Sequence, residues 1–316
     1  MGRISVIIPT VRGGDFLRRA VSSVVAAVDH ARLHDRVEVV VGDDGWRLGE
    51  SEFADLNVVA RGIEVKTVRT SGGPAAGPSA ARNSAIRASS GDHLFTLDDD
   101  DLFLRNRFDT AVKILDSGSA DAVLETTVRS FAGASDKPDF FTGPPDSGLD
   151  PLEMLLSGNS DWAVSQGAVS FRRDAFERVG GYNESLRFAE DGELLCKFAL
   201  VSRIVMKPGP PVTRYFYHSQ NISAAGNVFP WQNVRMLSEL YRFAREKQCS
   251  NKHLIMVRNA LQGKFDYAMW VIGTRQHARQ VRLRGLYDSI AAYPVGAWTT
   301  KNVRSATVAI CRSTLP

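Results

Sequence analysis

What most constrains the folding of this chain is an alternation in its first hundred or so residues, where short β-branched runs of strand length take turns with stretches of helical spacing. Arg3-Ile4-Ser5-Val6-Ile7-Ile8-Pro9-Thr10 reads as a strand buried on both faces and stopped by Pro9. Leu17, Val21, Val24 and Val28 then form a helical stripe. Val37-Glu38-Val39-Val40-Val41 is a second buried strand, running into Gly42-Asp43-Asp44-Gly45. Residues 62–68 make a third, and Leu94-Phe95-Thr96-Leu97 a fourth that ends in Asp98-Asp99-Asp100-Asp101. Between those two, a Gly/Pro-rich stretch leads into Ser79-Ala80-Ala81-Arg82-Asn83-Ser84-Ala85-Ile86, a helix with Pro78 near its start. Strands alternating with helices imply βαβ units, a parallel sheet and right-handed crossovers. In such sheets ligands gather at the carboxyl ends of the strands, and Thr10, Asp43, Asp44 and the Asp98 to Asp101 run all fall there.

The remainder of the chain sets the class. With 316 residues, 44% of them hydrophobic and 23% charged, the composition supports a full core and excludes disordered, collagenous and small disulfide-built proteins. The length suits one large domain or two moderate ones. No apolar run reaches the ~18 residues a spanning helix needs, and Met1-Gly2-Arg3 passes straight into the first strand without a leader pattern. The expected location is cytoplasmic. Cys196, Cys249 and Cys311 lack Cys-x-x-Cys spacing and are expected as reduced thiols.

Past Asp101 the sequence predicts a helix over 105–115, a strand over 121–129 and a long loop over 133–148. A short helix over 151–156, a strand over 163–172 and a helix over 174–179 follow, then the turn Gly180-Gly181-Tyr182-Asn183. Glu190-Asp191 opens another helix, with acids where the helix dipole favours them. From about Trp231 the pattern is helical. That tail holds 14 Lys and Arg against 4 Asp and Glu, so a net charge of +4 hides an acidic body and a basic end.

Four consecutive aspartates after an apolar strand repel one another, and their ionised forms need a cation or strong donors to sit together. Hard oxygen ligands suit Mg²⁺ or Mn²⁺, and magnesium commonly takes one or two carboxylates plus substrate phosphate oxygens. The run therefore suggests a nucleotide-diphosphate site, with a solvated acidic turn as the plain alternative.

The surrounding text narrows the choice. Ile4-Ser5-Val6-Ile7-Ile8-Pro9-Thr10, Val39-Val40-Val41-Gly42-Asp43-Asp44-Gly45, Ala81-Arg82-Asn83, Leu97-Asp98-Asp99-Asp100-Asp101, and Gly180-Gly181-Tyr182-Asn183 followed by Glu190-Asp191 form an ordered set. Over about residues 3–220 it resembles the family-two glycosyltransferases with a GT-A fold. The resemblance implies an α/β catalytic domain over 1–225, with a Rossmann-like, mostly parallel sheet flanked by helices. A helical, basic region over 226–316 would follow. It implies an inverting glycosyltransferase of the hexosyltransferase type, moving a sugar from a nucleotide diphosphate donor, a UDP-sugar, to an acceptor hydroxyl with Mg²⁺ or Mn²⁺. Asp43 or Asp44 would accept hydrogen bonds from the nucleotide base, with Pro9 and Thr10 beside it. Asp98 and Asp100 match the family's Asp-x-Asp motif, the first near the ribose and the second on the metal. Four aspartates leave that register open by one residue, so Asp99 is the alternative, and Asp101 would support them. Arg82 would lie near the nucleotide, and His218 near the metal or diphosphate. Asp191, paired with Glu190, would be the catalytic base.

The chemistry needs this set because an acceptor hydroxyl is a poor nucleophile until a carboxylate takes its proton, and the departing nucleoside diphosphate develops charge that a metal neutralises. Each residue has a plainer alternative. Asp191 is also a first-turn helix acid, His218 a hydrogen-bonded scaffold group, and Arg82 a solvated helix side chain. Trp162 and Gln166 are candidates for contact with donor sugar or acceptor, with a core Trp as the alternative.

Competing readings are a sugar nucleotidyltransferase and a non-catalytic nucleotide- or carbohydrate-binding protein of the same fold. The first would want a Gly-rich basic loop where Pro9-Thr10-Val11-Arg12-Gly13-Gly14-Asp15 stands, and a dehydrogenase would want Gly-x-Gly-x-x-Gly. The acceptor classes left open are a saccharide, a lipid carrier, a peptide and a small metabolite. The basic tail admits a solvated surface, contact with anionic lipid at the inner membrane face, or a homodimer through Ala268-Met269-Trp270-Val271-Ile272. No nucleic-acid reading module accompanies the charge.

Overall fold

A computed structural model of the 316-residue chain describes residues 1–131, 138–186, 188–219, 221, 230–273, 289–291, 293 and 306. Contacts divide the chain into two units, Met1–Arg187 with Ser202–His218, and Phe188–Val201 with Ser219–Pro316. The sequence suggests a single cut at 225. In the contact division the helix opening at Glu190 joins the carboxyl-terminal helices, because its apolar side packs on them.

The first unit begins with three strands, β1 (Ile4–Thr10), β2 (Val37–Asp43) and β3 (Glu64–Arg69), and helices α1 (Gly14–Ala31) and α2 (Glu50–Val59) connect them. Every residue of β1 and β2 is buried, as expected of interior parallel strands covered on both faces. Helix α3 (Pro78–Ala88) starts on Pro78 and leads to β4 (His93–Thr96). Its small residues Ala80, Ala81 and Ala85 let it lie close to the sheet. A Cβ at Gly42 of β2 would stand 2.5 Å from the Ala81 carbonyl oxygen, so this approach requires glycine.

Next come β5 (Leu102–Phe103), α4 (Ala111–Asp116), β6 (Ala122–Glu125), β7 (Thr127–Phe131), β8 (Phe140–Thr142) and α5 (Pro151–Leu156). The unit closes with β9 (Val169–Arg172), α6 (Arg173–Val179), β10 (Ile204–Lys207) and β11 (Thr213–Tyr217). Seven strands form the main sheet in the order β10-β6-β9-β4-β1-β2-β3, antiparallel only where β9 meets β4 and β6. The mostly parallel α/β sheet expected from the sequence is present. The order of strand addition reverses at β1, since β2 and β3 add in parallel on one side of it and β4, also parallel, on the other. A second sheet has the order β5-β11-β7-β8.

Four expectations change. The strand over 163–172 is only β9, and a 3-10 turn over Gln166–Ala168 precedes it. The strand over 121–129 is two strands, β6 and β7, which belong to different sheets and part at Thr126. The loop over 133–148 contains β8, and residues 132–137 lie outside the described ones. The helix over 105–115 is reduced to α4. Residues 105–110 form turns, and Arg107 leaves the helical path for the core, where it meets Glu125 at 2.8 Å and the Val169 carbonyl at 2.7 Å.

The second unit contains α7 (Glu190–Val201), α8 (Pro230–Glu246) and α9 (Asn251–Gly273). Leu194, Leu195 and Phe198 of α7, Val234, Leu237 and Leu240 of α8, and Val257, Leu261 and Phe265 of α9 are buried. Lys197 pairs with Glu193 at 2.8 Å and lies 5.5 Å from the Phe243 ring centroid. Burial pushes the Cys196 thiol up to about 12, so it stays protonated, as a core thiol should. Cys311 lies outside the described residues. Of the run suggested for dimer contact, Ala268, Met269 and Val271 are buried and Trp270 is exposed; the Ile272 side chain is outside the described residues. No helix among the described residues is long and apolar enough to cross a membrane.

Candidate functional site

The turn after β4 distributes its four aspartates to four different partners. Leu97 extends the pairing with β1 through its amide, 3.0 Å from the Ile7 carbonyl, and the Asp101 amide closes the turn on the Asp98 carbonyl at 3.1 Å. Asp98 accepts a hydrogen bond from Arg82 Nη2 of α3 at 2.7 Å. Asp99 accepts one from the Thr10 hydroxyl at the end of β1. Asp100 Oδ2 lies 3.0 Å from Nε2 of His218, just past β11, and Asp101 accepts the Phe216 amide at 3.1 Å. The acidic run thus sits where β1 and β4 diverge, the switch point at which open α/β sheets bind ligands.

Burial and crowding set the charge state of this cluster. Burial, with Asp100 and Asp98 adding repulsion, pushes the Asp99 carboxyl up to about 7, although the Thr10 hydroxyl and Arg12 pull the other way. Burial and Asp98 also raise Asp100 against the pull of His218. Asp101, fully buried, is raised well above the ordinary carboxylate value, again by burial first. Carboxyls in this condition hold protons or a cation.

The residues suit a divalent cation. The donors are hard oxygens with imidazole beside them, their proton affinity is raised by one another, and Asp101 Oδ2 is buried without a hydrogen-bond partner. Among the described residues no three acidic, imidazole or thiol side chains converge on one point. Asp100 with His218 is therefore a partial set, of the kind Mg²⁺ completes with phosphate oxygens and water.

Beside this cluster, the ends of β1, β2 and β3 make a second cradle. The Asp44 amide donates to the Thr10 carbonyl at 2.8 Å, directly after Pro9, and the Thr70 amide donates to the Asp43 carbonyl at 3.1 Å. Asp43 Oδ2 accepts the Leu48 amide at 2.9 Å, and Asp44 Oδ2 accepts the Gly77 amide at 3.0 Å. Their Oδ1 atoms are buried without partners. Thr10 Oγ1 accepts the Gly13 amide at 2.9 Å, which fixes it between the two cradles.

A third group of contacts fixes Arg82. Its guanidinium lies 5.3 Å from the Tyr182 ring centroid. The neighbouring Asn83 clasps the Tyr182 backbone, Nδ2 donating to the carbonyl at 2.9 Å and Oδ1 accepting the amide at 3.1 Å. The Tyr182 hydroxyl donates to Gln166 Oε1 at 2.8 Å, and the Thr96 hydroxyl at the end of β4 reaches the Gln166 backbone carbonyl at 2.8 Å. Gln166 is thus buried inside the scaffold. Trp162 closes a short 3-10 turn next to β8, where the Gly143 amide donates to the Asp161 carbonyl at 3.0 Å. Asn83, Tyr182 and Arg12 stand in the sequence motifs quoted above without a role assigned to them there.

Glu190 and Asp191 open α7 in the second unit, and Asp191 Oδ1 accepts the Gly192 amide at 2.7 Å.

Comparison with known proteins bears on the fold and the family. An uncharacterized glycosyltransferase of Rickettsia felis is 23% identical over 264 residues, which is 81% of this chain and 42% of that protein's length. Among solved structures, S. aureus TarS 1-349 in complex with UDP-GlcNAc superposes with a TM-score of 0.69 at 15% identity, over 98% of this chain and 89% of that one. The mannosyltransferase PcManGT from Pyrobaculum calidifontis, in complex with GDP-Man and Mn²⁺, gives a TM-score of 0.55 at 18% identity, over 99% and 87%. These likenesses agree on a GT-A fold. The sequence model of Glycosyl transferase family 2 matches residues 5–180, a range that includes the three strand ends, the acidic turn and Arg82, and the chain therefore belongs to that family.

Proposed function

We propose that the protein is an inverting glycosyltransferase that moves a sugar from a nucleotide diphosphate donor, a UDP-sugar, to an acceptor hydroxyl. The observation that carries this reading is the acidic turn at the β1/β4 divergence, whose buried, mutually repelling carboxyls call for a cation. The neighbour bound to GDP-Man and Mn²⁺ supports the metal, and the neighbour bound to UDP-GlcNAc supports the donor class. Asp100 and His218 would hold Mg²⁺ or Mn²⁺, with Asp98 or Asp99 alongside according to the register. A cation there neutralises the charge of the departing nucleoside diphosphate.

The chain's own groups do the rest. Arg82 holds Asp98 in place, Thr10 orients Asp99, and Asp43 and Asp44 offer acceptor oxygens to the base. Asp191, assigned by the family resemblance of its Glu190-Asp191 pair, takes the acceptor's proton as the new C–O bond forms and the bond to the diphosphate breaks. The acceptor is a saccharide, a lipid-linked acceptor or a small metabolite. The domain assignment over 1–225, the cytoplasmic location and contact of the basic tail with anionic lipid belong to the same proposal.

The test is release of nucleoside diphosphate from a panel of UDP- and GDP-sugars with candidate acceptors. Release should require both acceptor and metal, and Asp191→Asn should cut it by at least about a hundredfold while leaving donor affinity intact. Transfer by Asp191→Asn at the parent rate would remove the base assignment.

A further inference from the structure

The turn that follows β2 carries a large, partly exposed aromatic side chain, Trp46. Trp46 has a left-handed backbone, φ 54°, which is uncommon for a bulky residue and gathers at ligand sites when it occurs. Its indole is 42% exposed. It is nonetheless held in place. The ring lies 5.5 Å from the Arg69 guanidinium at the end of β3, and Nε1 donates to the Thr70 carbonyl at 3.4 Å. The turn is also pressed against the end of β1, since a Cβ on Gly45 would stand 2.0 Å from the Val11 carbonyl oxygen. An indole placed only for packing would be buried, and one placed by chance would not need a strained backbone, a cationic support and a glycine pinned to the neighbouring strand.

The groups around it are those a heterocyclic base requires. Asp43, Asp44 and Thr70 are buried to within 3% of complete, and Asp43 Oδ1, Asp44 Oδ1 and Thr70 Oγ1 have no hydrogen-bond partners among the described residues. Unpaired buried acceptors of this kind are costly, and N–H donors on a base edge would satisfy them. The strand order adds a distance. The Trp46 turn follows β2 and touches the chain at the ends of β1 and β3, whereas the acidic run follows β4. Two strand spacings, about 10 Å, separate β2 from β4, a span that a nucleoside diphosphate bridges from base to phosphate.

We propose that Trp46, backed by Arg69, is the surface on which the donor's nucleobase stacks. This rests on the nucleotide-diphosphate reading of the acidic turn and adds to it a base-binding residue supplied by this chain. Stacking would set affinity for the nucleoside part of the donor, and Asp43 or Asp44 would read the base edge.

Calorimetric titration of the full chain with UDP, GDP and inorganic pyrophosphate, each with Mn²⁺, tests it in the parent, Trp46→Ala and Trp46→Phe. The parent should bind UDP or GDP more tightly than pyrophosphate. Trp46→Ala should lose about ten- to a hundredfold for that nucleotide, the range of a lost aromatic–base stack, and nothing for pyrophosphate. Trp46→Phe, which keeps a ring, should stay within about threefold of the parent. The nucleotide should also quench a component of the parent's tryptophan fluorescence that Trp46→Phe lacks. Parent-like nucleotide affinity in Trp46→Ala, or equal loss for nucleotide and pyrophosphate, would overturn the stacking role. Parent binding of pyrophosphate with no gain from a base would overturn it while sparing the metal–diphosphate site, and binding of none of the three would remove both.

Discussion

At the scale of single residues, the acidic turn illustrates how one short run can serve several purposes. Asp98, Asp99, Asp100 and Asp101 look alike in the sequence, which leaves their register open by one residue. In the fold they separate by partner: Arg82, Thr10, His218 and the Phe216 amide respectively. The cluster was legible because like charges after an apolar strand demand compensation; the partners were not, because they come from β1, α3 and β11, far apart in sequence. Asp99, pushed up to about 7 by burial and its acidic neighbours, gives a pH prediction. Because its folded-state value is raised, its contribution to stability is present at low pH and is lost as pH rises from about 4 through about 7. Metal binding needs the ionised form. Mn²⁺ affinity should therefore climb between about pH 6 and 8, and added Mn²⁺ should recover thermal stability lost over that interval. A flat Mn²⁺ affinity across this range would show that Asp99 does not titrate there.

Among elements, the parallel core was readable from its apolar runs, since β1 and β2 are buried on both faces and show no alternation. Pairing between strands was not. Nothing in the 121–129 run marks Thr126 as the point where the chain passes from one sheet to the other, and β8 is too short and too close to Gly and Pro to carry a period. The link between α3 and the Gly180-Gly181-Tyr182 turn is likewise a tertiary fact. Asn83→Ala would leave the Tyr182 amide and carbonyl without their partners, at a cost of about 2–3 kcal/mol in urea unfolding. It should also loosen Arg82 against Asp98 and weaken nucleotide binding. A variant as stable as the parent would show that Asn83 does not clamp this turn.

For the molecule as a whole, stability in acid should depend on a group remote from the site. Burial alone would raise Glu38, yet Lys66, the Ser90 amide, and the hydroxyls of Ser5 and Ser90 outweigh it and hold the carboxylate at about 2. Its folded-state value is depressed, so its contribution is present above about pH 4.5 and is lost as pH falls towards 2. Glu38→Gln should flatten the acid limb of the stability curve between those limits, and an unchanged limb would exclude Glu38 as its source. At this scale the sequence showed a helical, basic carboxyl-terminal region but not that α7 groups with it, because amphipathic spacing shows that a helix has a partner and not which one. The central claim is that the carboxyls at the β1/β4 divergence bind a nucleoside diphosphate through a divalent ion. Calorimetric titration of UDP into the full chain, with Mn²⁺ and with chelator, in the parent and in Asp100→Ala, tests it most directly. UDP binding should need Mn²⁺ and fall at least about tenfold in Asp100→Ala; equal UDP affinity with and without the metal, or no effect of Asp100→Ala, would rule the metal-held diphosphate out.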